Sequence, residues 1–478
     1  MISVKIRGMK VVHASAELYP LVKTGGLADV AAALPAALLR EGCDSRVIVP
    51  GYPAILAALR DAATVAELGP MFDAPRVTLR FGRLEGVTSG AYVLDAPALY
   101  DRAGGPYDAP DGWAFGDNLQ RFALLSYGAA KLGAGVDPLW RADVVHAHDW
   151  HAGLTPAYMR ADPANTAKSV FTIHNLAYQG NFWEGEFHRL GLPAEYMRAH
   201  GGLEFWRQVS FMKAGIVFAR HVTTVSPTYA REITTPEFGC SLDPVLRERG
   251  DDLHGILNGI DQDIWNPATD QQCVAKFDRH SLDGKEHCKR ALQREFGLDE
   301  DARAPLFAVI TRLSYQKGLD LVLGALPTLL GGGAQLVMLG AGDPHLEHAF
   351  GHAAYEHRGR IGVRIGYDES LAHRIMAGAD SIMVPSRFEP CGLTQLYGLR
   401  YGTLPLVRRT GGLADSVDEA VGFVCGPAET SIYETIKRSI DAYRNRERWR
   451  TMMHAAMARD HGWSASARKY LQLYAEPI

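Results

Sequence analysis

Ser386-Arg-Phe-Glu-Pro-Cys-Gly-Leu-Thr-Gln395 decides how this chain is read. Ahead of it stands Ser381-Ile-Met-Val-Pro385, an apolar run of the length of a buried strand. Behind it, Leu393 to Tyr401 has the composition of a short helix, and Thr403-Leu-Pro-Leu-Val407 reads as the next strand. Strand, loop, helix and strand in that order make a parallel α/β unit. Ligands of open parallel sheets bind beyond the carboxyl ends of the strands, so Glu389 is expected in a crevice. The amides of Gly392, Leu393 and Thr394 would open the helix and offer a seat for an anion. A carboxylate beside such a seat repels an anion unless something polar or cationic lies between them. A neutral sugar attached to a phosphate meets that condition. The plainer alternative is that Glu389 caps the helix.

The totals narrow the class. A chain of 478 residues is too long for one ordinary core, so more than one domain is expected. Apolar content of 47% and charged content of 22% describe a soluble globular protein, and a net charge of −4 makes no electrostatic case for nucleic acid. The six cysteines are scattered and form no Cys-x-x-Cys pair, which suggests a reducing compartment. Met1 to Gly8 holds no long apolar run, so no secretory leader is expected. No segment approaches the roughly 20 apolar residues that cross a bilayer. The expectation is a cytoplasmic protein without membrane or nucleic-acid partners.

The same strand-loop-helix grammar runs outward in both directions. Met9–Ser15 is a first strand, Ala28–Arg40 a helix and Ser45–Pro50 a second strand. Lys23-Thr24-Gly25-Gly26 lies in the loop between the first two. Paired glycines let a ligand approach the backbone, and Lys23 could set a charge against a phosphate. The loop matches neither the dinucleotide fingerprint nor the P-loop, and a plain turn with a solvated lysine stays open. Asp143-Val-Val-His-Ala-His-Asp-Trp-His151 ends another strand in a cluster of histidines and aspartates. A metal and a sugar-binding rim both suit it: Asp149 can accept hydroxyl hydrogen bonds, and Trp150 can cover a sugar face or simply pack. Ser169–Asn175 ends in His174-Asn175, and Leu176–Gly180 is a turn.

Near Asp251–Ile260 the pattern restarts. Leu306–Thr311 is a fresh strand, Arg312-Leu-Ser-Tyr-Gln-Lys-Gly318 its exit loop and Leu319–Leu330 a helix. Arg312 and Lys317 in one loop could neutralise a diphosphate. Tyr367, at the exit of a later strand, could stack on a base. Thr-Gly-Gly-Leu-Ala-Asp occurs twice, at Thr24–Asp29 and Thr410–Asp415, and reads as one anion-binding solution used twice. Thr430–Met453 is helical, and Trp463–Ala475 is a last helix.

Taken together, Lys23–Leu27, Asp149–His151, Phe171–Gln179, Val225–Glu232, Asn258–Asp261, Arg312–Gly318 and Pro385–Gln395 resemble the bacterial glycogen synthases and plant starch synthases, in order along almost the whole chain. The resemblance implies the GT-B fold, two Rossmann-like domains facing each other across a deep cleft. The expected boundaries are 1–252 and 253–462, with 463–478 packing back on the first. It implies retaining transfer of glucose from ADP-glucose to the non-reducing-end 4-hydroxyl of an α-1,4-glucan, glycogen or maltodextrin, with no metal or other cofactor. Arg312 and Lys317 would bind the diphosphate, with amides near Gly25-Gly26 and Leu393-Thr394 in the same seat and Lys23 lining it. Tyr367 would contact adenine. His174, Asn258 and Glu389 would hold the glucose, and Asp149 would sit where donor meets acceptor. Trp150, Tyr178 and Gln179 are expected on the acceptor side. Tyr397 stands where many retaining GT-B enzymes carry a second glutamate, and the segment after Asp415 is shorter than in typical bacterial members. A nicotinamide dehydrogenase, a non-catalytic glucan-binding protein and a UDP-glucose-dependent enzyme of the same fold are the rival readings.

Overall fold

Strand polarity separates the chain into its parts. The computed structural model describes residues 8–426 and 428–477, so most of the Met1–Gly8 stretch behind the leader reading lies outside the described residues. Two compact units emerge, one of Met1–Gly259 with Trp463–Ile478, the other of Ile260–Gly462.

The first unit is built on β1 (Lys10–Ala14), β2 (Asp44–Pro50), β3 (Leu59–Glu67), β4 (Thr78–Leu84), β5 (Gly90–Asp95), β6 (Val144–His148) and β7 (Lys168–Ile173). A small antiparallel sheet follows, of β8 (Asn181–Trp183), β9 (Glu204–Phe205) and β10 (Gln208–Ser210), and then β11 (His221–Thr224) and β12 (Leu253–Gly255). The large sheet runs β12-β11-β7-β6-β1-β2-β5-β4-β3. It is parallel from β12 to β5, and only β4 is reversed, antiparallel to both its neighbours β5 and β3. β1, β6 and β7 are almost wholly buried, which explains their continuous apolar reading. β3 is largely exposed, so neither alternation nor an apolar run announces it in the sequence.

Trp463–Ala475 packs on this unit against Gly26–Arg40 and the β1–β6 side of the sheet. Its buried residues Trp463, Ala467, Tyr470, Leu471 and Tyr474 repeat at helical spacing. The Tyr474 hydroxyl meets His146 Nδ1 at 2.6 Å, and Lys168 Nζ donates to the Tyr474 carbonyl at 2.8 Å.

The second unit holds β13 (Leu306–Ile310), β14 (Gln335–Gly340), β15 (Ile361–Ile365), β16 (Ser381–Val384), β17 (Leu404–Arg408) and β18 (Phe423–Cys425). Its order β15-β14-β13-β16-β17-β18 is the doubly wound 3-2-1-4-5-6 arrangement, all parallel. The amide of Ile260 donates to the His461 carbonyl at 2.8 Å, tying the unit's entry to its exit. No helix among the described residues is long and apolar enough to cross a membrane.

Two expectations need correction. The boundary expected before Leu253 lies between Gly259 and Ile260, because Leu253–Gly255 pairs with β11 as the edge of the first sheet. Three residues are too few to tell the last strand of one sheet from the first of another. Thr430–Met453 is two helices, Ser431–Arg444 and Arg446–Ala458, broken where the Asn445 side chain accepts from the Arg448 amide and starts the second.

The last helix should carry a large share of the first unit's stability. Tyr474→Phe is expected to cost about 1 kcal/mol, and Tyr474→Ala about 3–5 kcal/mol, in urea unfolding followed by circular dichroism. Equal costs would mean that packing of the ring is unimportant there.

Candidate active site

In a doubly wound sheet the ligand crevice opens where strand order reverses, beyond the carboxyl ends of two adjacent strands. In the second unit those strands are β13 and β16. Their exit loops are 311–318 and 385–393, which carry Arg312, Lys317 and Glu389.

The loops interlock through one backbone bond and one side-chain bond. The Arg387 amide donates to the Gln316 carbonyl at 2.8 Å, and Gln316 Nε2 returns a bond to the Phe388 carbonyl at 3.2 Å. Gly318, at φ +67, lies so close under the Pro385 carbonyl that a Cβ would collide with it. Arg387 locks the outside: it forks onto Asp320 at 2.8 and 2.7 Å, reaches Glu429 at 2.8 Å and lies 3.8 Å over the Tyr315 ring.

Inside this frame Lys317 Nζ meets Glu389 Oε2 at 2.6 Å, and Ser386 Oγ donates to the same oxygen at 2.8 Å. The side chains are 18% and 8% exposed. The helix that follows, Thr394–Arg400, has no side-chain cap, so Glu389 is not spent on capping. Where the sequence called for something polar or cationic beside the carboxylate, the structure places Lys317 and the Ser386 hydroxyl. Among the described residues Arg312 is exposed and has no hydrogen-bond or ion-pair partner. Tyr367 is 74% exposed, and its hydroxyl donates to Glu369.

The second Thr-Gly-Gly-Leu-Ala-Asp copy supports this loop rather than an anion. The Gly412 amide donates to the Glu389 and Pro390 carbonyls at 3.1 Å each. Gly411, at φ +43, passes so near the Glu389 carbonyl that no side chain fits. Tyr397, where a second glutamate was sought, is a packing residue. It stacks on Trp265 at 3.8 Å, with His373 on that indole at 3.7 Å.

In the first unit the strand order reverses between β1 and β6. The loop after β1 shows a partner the sequence reading missed. Buried Glu17 accepts the Thr24 amide at 2.7 Å and the Gly25 amide at 3.1 Å, and Tyr107 donates to it at 2.5 Å. The Gly25-Gly26 turn thus already answers two of its amides with a carboxylate of its own, and Lys23 pairs with Asp29 at 3.0 Å. A buried glutamate six residues before a lysine-glycine turn was the available signal.

β6 delivers Asp149 on strained backbone, at φ +60 and ψ −180. Such geometry costs a non-glycine residue about 1–3 kcal/mol and collects at functional sites. The Asp149 amide donates to the Thr172 carbonyl at 2.8 Å, and the His174 amide approaches its carboxylate at 3.4 Å. Burial pushes the carboxyl up to about 8, helped by Glu17 and opposed by the His174, Asn175 and Trp150 amides. Trp150 packs on Phe122 and His151 at 5.0 and 4.0 Å, and Gly180 lies under its indole, so packing claims much of that ring. Tyr178 is exposed, and Gln179 Nε2 donates to the Cys240 carbonyl at 3.0 Å. Asn258 is buried, and among the described residues its Oδ1 has no partner.

The histidines form a chain. His174 Nε2 meets His148 Nδ1 at 3.0 Å, and His148 Nε2 meets His13 Nδ1 at 3.0 Å. His146 bonds Thr172 and Tyr474, each at 2.6 Å. Burial pushes His13 and His174 down to about 3 and holds His146 and His148 well below the usual range. His13, His146 and His148 are near enough to share an ion, but their nitrogens other than His13 Nε2 are already hydrogen-bonded. His151 stacks on Tyr107 at 4.4 Å instead of joining them.

Two family models match the chain: "Starch synthase catalytic domain" over residues 10–248 and "Glycosyl transferases group 1" over residues 293–453. A glycogen synthase of Edwardsiella ictaluri is 53% identical, covering 98% of this chain and 99% of that protein. The chain belongs to the glycogen and starch synthase family. The solved catalytic domain of starch synthase IV from Arabidopsis thaliana, bound to ADP and acarbose, is 33% identical with a TM-score of 0.88, covering 98% of this chain and 99% of that one. A sucrose-phosphate synthase from Thermosynechococcus elongatus, 16% identical with a TM-score of 0.61 over 98% of both chains, shares the fold. This glycogen and starch synthase family member is a glycosyltransferase of the GT-B fold, with its two Rossmann-like sheets.

Asp149 generates a pH test. The folded carboxyl keeps its proton up to about 8, whereas the unfolded chain ionises near ~4. Across that window the folded state binds the extra proton, so this group's contribution to stability falls as pH rises and levels off above the window. Asp149→Asn removes the titration. Its stability in urea is expected to gain on the parent from about pH 5 to about pH 8, with transfer activity down at least ~100-fold. Parallel stability curves would contradict the raised ionisation.

Proposed function

We propose that the chain transfers glucose, with retention, from ADP-glucose to the non-reducing-end 4-hydroxyl of an α-1,4-glucan, and that it does so without a metal. The observation that carries this reading is the Lys317–Glu389–Ser386 cluster, with Arg312 on the same exit loop as Lys317, exposed and without a partner among the described residues. Breaking the bond from glucose C1 to the phosphate oxygen loads negative charge on the departing diphosphate. Preorganised cations are the strongest stabilisers of such charge, and Arg312 and Lys317 supply two. The Leu393 and Thr394 amides add donors at the head of the short helix.

Glu389, fixed by two donors on one oxygen, orients the sugar and offsets the positive charge that develops at C1. The acceptor O4 attacks from the face the diphosphate leaves, and its proton passes to the departing phosphate oxygen. The C1–O4 bond forms as C1–O–P breaks, so no enzyme carboxylate is covalently occupied; a trapped glucosyl–Glu389 adduct would overturn this step. His174 and Asn258 are assigned to glucose hydroxyls, Asp149 to the donor–acceptor junction, Lys23 and the Gly25-Gly26 turn to the donor, Tyr367 to adenine. Trp150, Tyr178 and Gln179 are assigned to the glucan. ADP and an oligosaccharide bound to the Arabidopsis relative support a nucleotide-sugar donor and a glucan acceptor.

The test is incorporation of labelled glucose into glycogen from ADP-glucose and from UDP-glucose in parallel, with and without EDTA. Incorporation is expected mainly from ADP-glucose, unchanged by EDTA, and reduced at least ~100-fold in Glu389→Ala and Lys317→Ala. Incorporation from UDP-glucose alone would overturn the donor. No transfer from either, with ADP still bound, would favour a glucan-binding protein.

A further inference from the structure

The opposite edge of the first sheet carries a second cluster. His221 opens β11, Asp252 directly precedes β12 and His254 lies within it. Parallel pairing sets His254 against Thr223, and alternate residues of a strand share a face, so His221 and His254 face the same side. Their ring centroids are 5.7 Å apart. Ligand atoms of His221, Asp252 and His254 all lie within 4.8 Å of one another.

The hydrogen bonding here is incomplete. His221 is 1% exposed, yet among the described residues neither ring nitrogen has a hydrogen-bond partner, and His254 Nε2 is also buried without one. Buried polar atoms in folded proteins are mostly paired, and among the described residues His221 is the one histidine whose two ring nitrogens are both buried and unpaired. His221 Nδ1 lies 3.5 Å from Asp252 Oδ1, and Nε2 lies 3.6 Å from Glu476 Oε2. Those gaps are long for N–H···O bonds. Two ligands each about 2.1 Å from one tetrahedral ion stand roughly 3.3–3.5 Å apart, which is the His221–Asp252 spacing.

We infer that His221, Asp252 and His254 form a site for a divalent ion of the zinc class, with water as the fourth ligand. Glu476 would accept the second His221 N–H and fix the ring, as carboxylates do behind metal-bound imidazoles. The chain end that carries Glu476 is pinned by Lys168, which donates to the Tyr474 and Glu476 carbonyls. Asp252 is 41% exposed, which leaves the ion a route from solvent. Arg220 and Arg249 stand 3.6 and 3.9 Å from the Asp252 carboxylate. Their charge opposes a cation, so the site is expected to be weaker than a four-ligand structural zinc site. It lies at the amino ends of β11 and β12, whereas Asp149 and His174 stand at strand exits. The ion is therefore expected to raise stability and leave glucosyl transfer unchanged.

The experiment uses the full chain, stripped by dialysis against a chelator and titrated with Zn²⁺ by calorimetry and with Co²⁺ by visible absorption. One equivalent is expected, with tetrahedral cobalt bands and a higher Tm on adding Zn²⁺. His254→Ala is expected to weaken binding about 100-fold or more, and Glu476→Gln about 10-fold, with unliganded folding and transfer preserved. Asp252→Asn serves as a second ligand variant should His254→Ala fail to fold. The inference is overturned if the wild type binds no stoichiometric ion, or if His254→Ala and Asp252→Asn bind as it does. Loss of binding in His13→Asn, with retention in His254→Ala, would move the ion to the inner histidines and overturn it as well.

Discussion

The second unit's crevice depends on one ammonium and one carboxylate. Lys317 and Glu389 come from the exits of two different strands, lie 2.6 Å apart and are largely shielded from water. Removing one member of such a pair strands the other, at about 3–5 kcal/mol. The pair is therefore costly to break, and nearly everything around it keeps it in register. The Arg387-amide and Gln316-side-chain bonds between the loops, the Gly318–Pro385 contact, the Arg387 lock on Asp320 and Glu429, and the Gly411-Gly412 cradle all serve to fix it. Glu389 alone would repel a diphosphate; in the proposed reading, Lys317 and the Ser386 hydroxyl offset that repulsion and leave a place for a sugar that carries one.

Both sheets solve the placement problem in the same way. Where strand order reverses, neighbouring exit loops diverge and leave polar groups facing a gap. In the second unit the gap is flanked by β13 and β16, in the first by β1 and β6. The first unit's version is built from imidazoles that burial pushes down, a strained Asp149 whose carboxyl burial pushes up, and a glutamate that takes its own glycine-turn amides. The second unit's version is built from an ammonium paired with a carboxylate, with Arg312 on the same loop. The contrast suits the proposed division in which one set of residues handles hydroxyl groups and the other handles phosphate.

Much of this was legible in the sequence because buried parallel strands are continuous apolar runs that end abruptly in polar residues. Lys317, Glu389, Asp149 and His174 all announced themselves by standing at such ends. What stayed hidden depended on partners outside each motif. Glu17, seven residues before Thr24, was the signal available for that amide, but nothing near Thr410 says that Gly412 serves the Glu389 carbonyl. Tyr397 departs from a glutamate pattern, and only the Trp265 stack explains it. The exposed β3, the three-residue β12 and the small β8–β10 sheet are too short or too polar for periodicity to mark.

The most direct measurement is the affinity for ADP by calorimetry of the wild type, Lys317→Gln and Glu389→Gln. If Lys317 is shared between the carboxylate and an incoming diphosphate, Lys317→Gln should bind ADP about 10- to 100-fold more weakly, the equivalent of one lost charged hydrogen bond. Glu389→Gln, which removes the competing carboxylate, should bind ADP as tightly as the wild type or more tightly. Undiminished ADP binding by Lys317→Gln, or equal losses in both variants, would contradict the account.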